Sequence, residues 1–155
     1  KRYDLAVKAA TKLNKKLIVF GNGPAHEQLV KIAGPTVEFR TDRFGDASDA
    51  EYEKAITTAR GFIYPAEEDF GIVSVEALAA GAPVIGLARG GTTDIVTSPD
   101  IGTLFHHQTV DDVVKAVEIA EQTSFYPSKL ARTAKRFDKG LFLTKIKKVV
   151  RDSIS

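Results

Sequence analysis

The chain contains no cysteine, which excludes a disulfide framework, thiolate catalysis and any cysteine-ligated metal. No apolar run approaches the ~18 residues of a membrane-spanning helix. No secretory leader is visible, so the expectation is a cytoplasmic protein. There is no Asp-x-Asp pair, and His26, His106 and His107 lack the spacing of a metalloenzyme, so no metal is expected. Internal repeats and low-complexity segments are also absent. The chain opens at Lys1 without Met and reads as a fragment.

What is present suits one soluble domain with a sizeable core: 155 residues, 43% hydrophobic and 27% charged. The net charge of +2 hides an asymmetry. Residues 61–128 hold ten acidic side chains against Arg89 and Lys115. Residues 129–155 hold nine basic side chains against Asp138 and Asp152. The basic tail fits the solvated face of amphipathic helices, or peripheral contact with an anionic membrane. It carries no nucleic-acid recognition motif, so no nucleic acid is expected as a partner.

Strand and helix patterns alternate. Tyr3, Ala6, Val7, Ala10 and Leu13 have helical spacing. "KLIVFG" (16–21), "TVEF" (36–39), "GFIYP" (61–65), "APVIGLA" (82–88) and "GTLFHH" (102–107) read as strands. Pro24 can open a helix that Gly34-Pro35 stops. Ser48 with Glu51, and Thr109 with Asp112, have capping-box spacing. Gly81 caps a helix over 71–80, and Phe142, Ile146, Val149 and Val150 give the last helix one apolar face. Short strands that are apolar throughout point to parallel strands covered on both faces. The expected class is α/β, a doubly wound, Rossmann-like parallel sheet with C-terminal helices. Ligands of such folds bind at the strand carboxyl ends. The chain opens on a helix, so the first strand is expected upstream of Lys1.

Several motifs compete for the chemistry. "GNGPAH" (21–26) begins like a dinucleotide fingerprint, but His26 stands where the third glycine belongs. Glu68 and Glu76 could be a hydrolase pair. Their eight-residue spacing, if helical, rises about 12 Å, beyond the roughly 5–9.5 Å of such pairs. The helix start at Phe70-Gly71-Ile72 offers unsatisfied N–H groups to oxygen-rich ligands, and Gly71 leaves the approach open. Glu67, Glu68 and Asp69 before it favour the helix dipole. The dipole leaves Glu76, inside an apolar run, without explanation.

Glu68-x-Phe70-Gly71 followed by Glu76-Ala77, "AAGAPVIG" and "GGTTDIV" resembles the E-x7-E signature of retaining GT-B glycosyltransferases of family 4. "LIVFGNGP" and "GTLF" resemble further segments of that family, and "PAEEDFG" its mannosyltransferase-like branch. The resemblance implies a donor-binding domain for a nucleoside-diphosphate sugar, GDP-mannose or a UDP-sugar, with no separate cofactor. It implies that Lys1 pairs with the donor diphosphate and that Glu68 meets the transferred sugar. Phe70, Gly71 and Ile72 would offer N–H groups, Glu76 would bind the ribose, and Gly21, Asn22 and Gly23 would line the nucleotide pocket. Its partner would be the enzyme's own N-terminal acceptor domain, absent here, so this domain alone would transfer nothing. Asp94 stands where the family has Glu, the loop 41–48 is longer than usual, and an Arg expected before Lys1 is not in the chain. A nucleotide-sugar epimerase of the same fold and a non-catalytic nucleotide-binding module are the alternatives.

Overall fold

A computed structural model describes residues 1–21, 23–40 and 49–154. In chain order its elements are α1 (Tyr3–Leu13), β1 (Leu17–Phe20), α2 (His26–Ile32), β2 (Val37–Arg40), α3 (Asp49–Thr57), β3 (Phe62–Tyr64) and α4 (Ile72–Ala79). There follow β4 (Val84–Leu87), α5 (Gly91–Ile95), β5 (Gly102–Phe105), α6 (Val110–Gln122), α7 (Pro127–Ala134), a 3-10 turn (Lys135–Phe137) and α8 (Lys139–Ser153).

All strand pairs are parallel. They form two sheets, β1-β2 and β3-β4-β5. Among the described residues β1 pairs only with β2, and β3 only with β4, so one edge of each strand is left without a strand neighbour.

The larger sheet is wound on both faces, and β4 shows why. Val84 enters one core with Leu78 of α4, Ile95 of α5 and Leu130 of α7. Ile85 and Leu87 enter a second core with Leu5 and Ala9 of α1, Phe105, and Val113 and Ala116 of α6. Alternate side chains of a strand point to opposite faces, so a strand apolar throughout needs a helical layer on each side. β1 is only half-buried, because its open edge faces no strand.

Local signals set the element ends, with two departures from the expected caps. α2 starts at His26 rather than Pro24, because Pro24 and Ala25 form a turn closed by His26 N–H to Gly23 O at 2.9 Å. At α6, Thr109 Oγ1 accepts the Asp112 N–H at 3.2 Å, as expected. Asp112 does not return the bond to Thr109, whose N–H already donates to His107 O at 2.8 Å. Its carboxylate instead takes the His107 N–H at 3.1 Å and Nδ1 at 2.8 Å. Gly81, at φ 87°, follows α4 in the left-handed conformation that suits glycine. The expected cap at Ser48 lies outside the described residues.

α8 begins on Asp138, whose carboxylate accepts from Gly140 N–H at 2.7 Å. No residue of α8 is buried, so its apolar face of Phe142, Ile146, Val149 and Val150 is uncovered. Among the described residues, no helix is long and apolar enough to cross a membrane.

The core therefore ends before α8. Leu130→Ala, at a side chain 0% exposed, should lower stability by about 2–5 kcal/mol. Phe142→Ala should change it by less than about 0.5 kcal/mol. Urea unfolding of both variants checks the contrast; equal losses would mean that α8 packs on the body.

Candidate functional site

The site lies at the carboxyl ends of the strands, where the loop 65–71 leaves β3 and enters α4. Pro65 and Ala66 are buried and anchor the loop, and Gln108 Nε2 donates to Pro65 O at 2.8 Å. The loop's far half rests on Gly90 and Gly91. Gly91 N–H donates to Glu68 O at 2.9 Å. A Cβ on Gly90 would stand 2.4 Å from Glu68 O, and one on Gly91 would stand 2.3 Å from Phe70 O. Only glycine permits that approach of two backbones.

Glu68 is pinned from two sides. Its Oε1 pairs with Lys1 Nζ at 3.1 Å, and its Oε2 accepts from the Tyr64 hydroxyl. The Tyr64 hydrogen bond, opposed by desolvation and assisted by Lys1, holds the Glu68 carboxyl below the usual carboxylate range. Beside it, Glu67 pairs with Arg89 at 3.7 Å and Asp69 is exposed. The three acids thus have three different environments, beyond a shared preference for the helix dipole.

Gly71 is the N-cap of α4 at φ 81° and supplies no side-chain cap. Among the described residues, no protein acceptor meets the N–H groups of Phe70, Gly71 or Ile72. These donors carry the positive end of the helix dipole, ready for an anionic or hydroxylated ligand. Ser74, third in α4, and Thr92, second in α5, are fully buried with hydroxyls that meet no protein partner. Buried hydroxyls left unpaired cost about 1–3 kcal/mol each.

Glu76 is not buried at all. α4 turns its Ala77 and Leu78 inward and leaves Glu76 exposed, so the apolar run exacts no desolvation cost from it. Its Oε2 accepts from the Tyr52 hydroxyl at 3.4 Å. Tyr52 in turn packs edge-on against Phe20, ring centroids 5.3 Å apart. That chain of contacts ties Glu76 to the carboxyl end of β1, where Gly21 follows at φ 117°. The structure thus joins Lys1 with Glu68 at one end of the site and draws Glu76 toward Gly21 at the other. Gly23 is open, with nothing within 4 Å of a Cβ, and Asn22 lies outside the described residues. His26 packs on Phe39, centroids 5.3 Å apart, where a dinucleotide motif would need glycine. Phe70 and Ile72 point outward, 47% and 60% exposed. Phe70 meets Phe137 edge-on at 5.7 Å.

Tyr64, Tyr52, Arg89 and Gln108 escape sequence reasoning. Tyr64 left a usable signal, a polar-tipped aromatic ending an apolar strand four residues before Glu68. The other three gave none, since their partners lie far away in the chain.

A doubly wound sheet with glycine turns, a bare helix start and carboxylates at its strand carboxyl ends is the Rossmann-like half of the GT-B glycosyltransferase fold. Solved structures share it. The lipopolysaccharide outer core galactosyltransferase WaaB has a TM-score of 0.78 at 16% identity over 99% of this chain and 45% of that one. Sucrose-phosphate synthase from Thermosynechococcus elongatus has 0.76 at 22% over 99% and 42%. The pneumococcal O-GlcNAc transferase GtfA, in complex with UDP and GlcNAc, has 0.69 at 18% over 99% and 33%. The profile of the family Glycosyl transferases group 1 matches residues 1–137, and the chain belongs to that family. Sulfoquinovosyl transferase SQD2 of Arabidopsis thaliana is 32% identical over 120 residues, 74% of this chain and 23% of that protein. The chain thus spans less than half the length of each of these relatives.

The glycine pair is the most sensitive support. Gly91→Ala should cost about 1–3 kcal/mol, because its Cβ meets backbone that cannot give way. Gly23→Ala should stay within about 1 kcal/mol of the parent. Thermal unfolding of both variants is the measurement, and an undisturbed Gly91→Ala protein would contradict the contact.

Proposed function

We propose that the chain is the donor-binding domain of a retaining GT-B glycosyltransferase of the family 4 type. The observation that carries this reading is the Lys1–Glu68 pair, 3.1 Å apart, beside a helix start with free N–H groups. A diphosphate brings charge that Lys1 and the α4 start can neutralise. A sugar brings hydroxyls that Glu68 can accept from. Glu76, exposed beside Tyr52 and facing the end of β1, takes the ribose hydroxyls, while Gly21 to Gly23 leave room for the nucleotide. Catalysis is then positional and electrostatic: the cation and the amides stabilise the departing diphosphate, and no protein nucleophile is required. GDP-mannose is the favoured donor, on the resemblance of "PAEEDFG", with UDP-sugars next.

The acceptor is assigned to a separate N-terminal domain. The same reading puts a further parallel strand, supplied from outside residues 1–155, between β1 and β3; their unpaired edges support it. Residues 1–155 alone should then bind donor weakly and transfer no sugar. The uncovered apolar face of α8, flanked by Lys145, Lys147, Lys148 and Arg151, supports peripheral contact with an anionic membrane at its cytoplasmic face.

Calorimetry with UDP and GDP tests the nucleotide assignment. Glu76→Ala should weaken nucleotide binding about 10- to 100-fold, the loss expected for hydrogen bonds to a charged group. Glu68→Ala should leave that affinity nearly intact and impair sugar transfer by the full-length enzyme. Negligible effects of both would sink the assignment. Sedimentation with phosphatidylglycerol vesicles checks the membrane contact: binding should fall in high salt, and no binding at low salt removes the proposal.

A further inference from the structure

The donor reading gives Glu68 a role but leaves open what keeps its side chain in place. Glu68 sits in a loop on a side chain with three rotatable bonds, and Lys1 alone reaches only one of its oxygens. The second oxygen is met by Tyr64, the last residue of β3, which is 2% exposed. The ring of Tyr64 stacks on Phe62, centroids 5.9 Å apart at 24°. Its Cε1 lies 3.2 Å from where a Cβ on Gly71 would stand, so the ring fills the space under the start of α4. Packing therefore fixes the ring, and the ring fixes its hydroxyl.

We infer that Tyr64 is a positioning residue: its buried hydroxyl, with Lys1 on the opposite oxygen, holds the Glu68 carboxylate in one orientation beside the α4 start. What Glu68 does for the sugar rests on the donor reading above; the contact itself does not. A carboxylate has about four acceptor sites, so two donors leave capacity for substrate hydroxyls. Burial, then the Glu68 carboxylate, pushes the Tyr64 phenol above its ordinary value, so it stays a donor throughout the neutral range. The groups facing this pair are the Lys1 ammonium on the Glu68 side and Tyr3 on the Tyr64 side. The Lys1 ammonium meets Oε1 and the phenol meets Oε2, so neither takes the other's place on the carboxylate. A Phe at this position would fill the same space without the hydroxyl, which separates positioning from packing.

Tyr64→Phe is the test, with Glu68→Gln beside it and two readouts. In 13C-labelled protein the Glu68 carboxyl should titrate at higher pH in Tyr64→Phe than in the parent, because the bond that depresses it is gone. In the full-length enzyme, turning over GDP-mannose or UDP-glucose, kcat should fall about 10- to 100-fold with little change in donor KM. An unshifted titration overturns the inference, as does a shifted one with unchanged kcat where Glu68→Gln is impaired. If Glu68→Gln transfers sugar at the parent rate, the role given to Glu68 fails. The titration still decides whether Tyr64 holds the carboxylate.

Discussion

The hydrogen bond from Gly91 N–H to Glu68 O, 2.9 Å long, joins the two loops on which the site is built. It exists because neither Gly90 nor Gly91 has a Cβ to keep the backbones apart. One loop leads into α4 and presents Glu68; the other leads into α5. With the two backbones in contact, both helix starts come to the same end of the sheet, and α4 keeps its free N–H groups there. Arg136 secures the α5 end from the far side, donating to Ile95 O at 2.7 Å. The geometry of the site is thus set by main-chain contacts and by glycine.

Charge plays a different part. Arg89–Glu67 is open to solvent and Lys1–Glu68 sets an exposed ammonium against a half-buried carboxylate, and pairs of this kind contribute about 0–1 kcal/mol. They cannot hold a loop that burial of Pro65 and Ala66 and the bond from Gln108 already fix. Their effect is on orientation and ionisation. Glu68 is the clearest case: the Tyr64 phenol and the Lys1 ammonium together hold its carboxyl below the usual carboxylate range.

The alternation of helices and strands was legible because most strands are short apolar runs and some helices have a stop signal, as at Gly34-Pro35 and Gly81. The two cores around β4 follow from Val84, Ile85 and Leu87 as written. Within the candidate site, the bare helix start at Gly71 was legible from the backbone, and the signature spacing singled out Glu68 and Glu76 as candidates. Burial is not legible from chain neighbours alone. Glu76 sits among apolar residues in the chain yet faces outward, because an eight-residue helix packs only one side. Contacts between distant loops, such as Gln108 with Pro65, have no local pattern to betray them. The cap at α6 differed for a similar reason: Thr109 N–H had already found a closer acceptor in His107.

The helix α1 has one further consequence. It packs against α2 and β2 on one side and against α6 and β3 on the other, so it is the shared axle between two sheets that, among the described residues, are not paired with each other. Leu5, Ala6, Val7, Ala9 and Ala10 are all buried along it. Lys1 stands two residues before the first turn of that axle. The ammonium that meets Glu68 is therefore registered against both sheets at once, through the one helix that both of them bury.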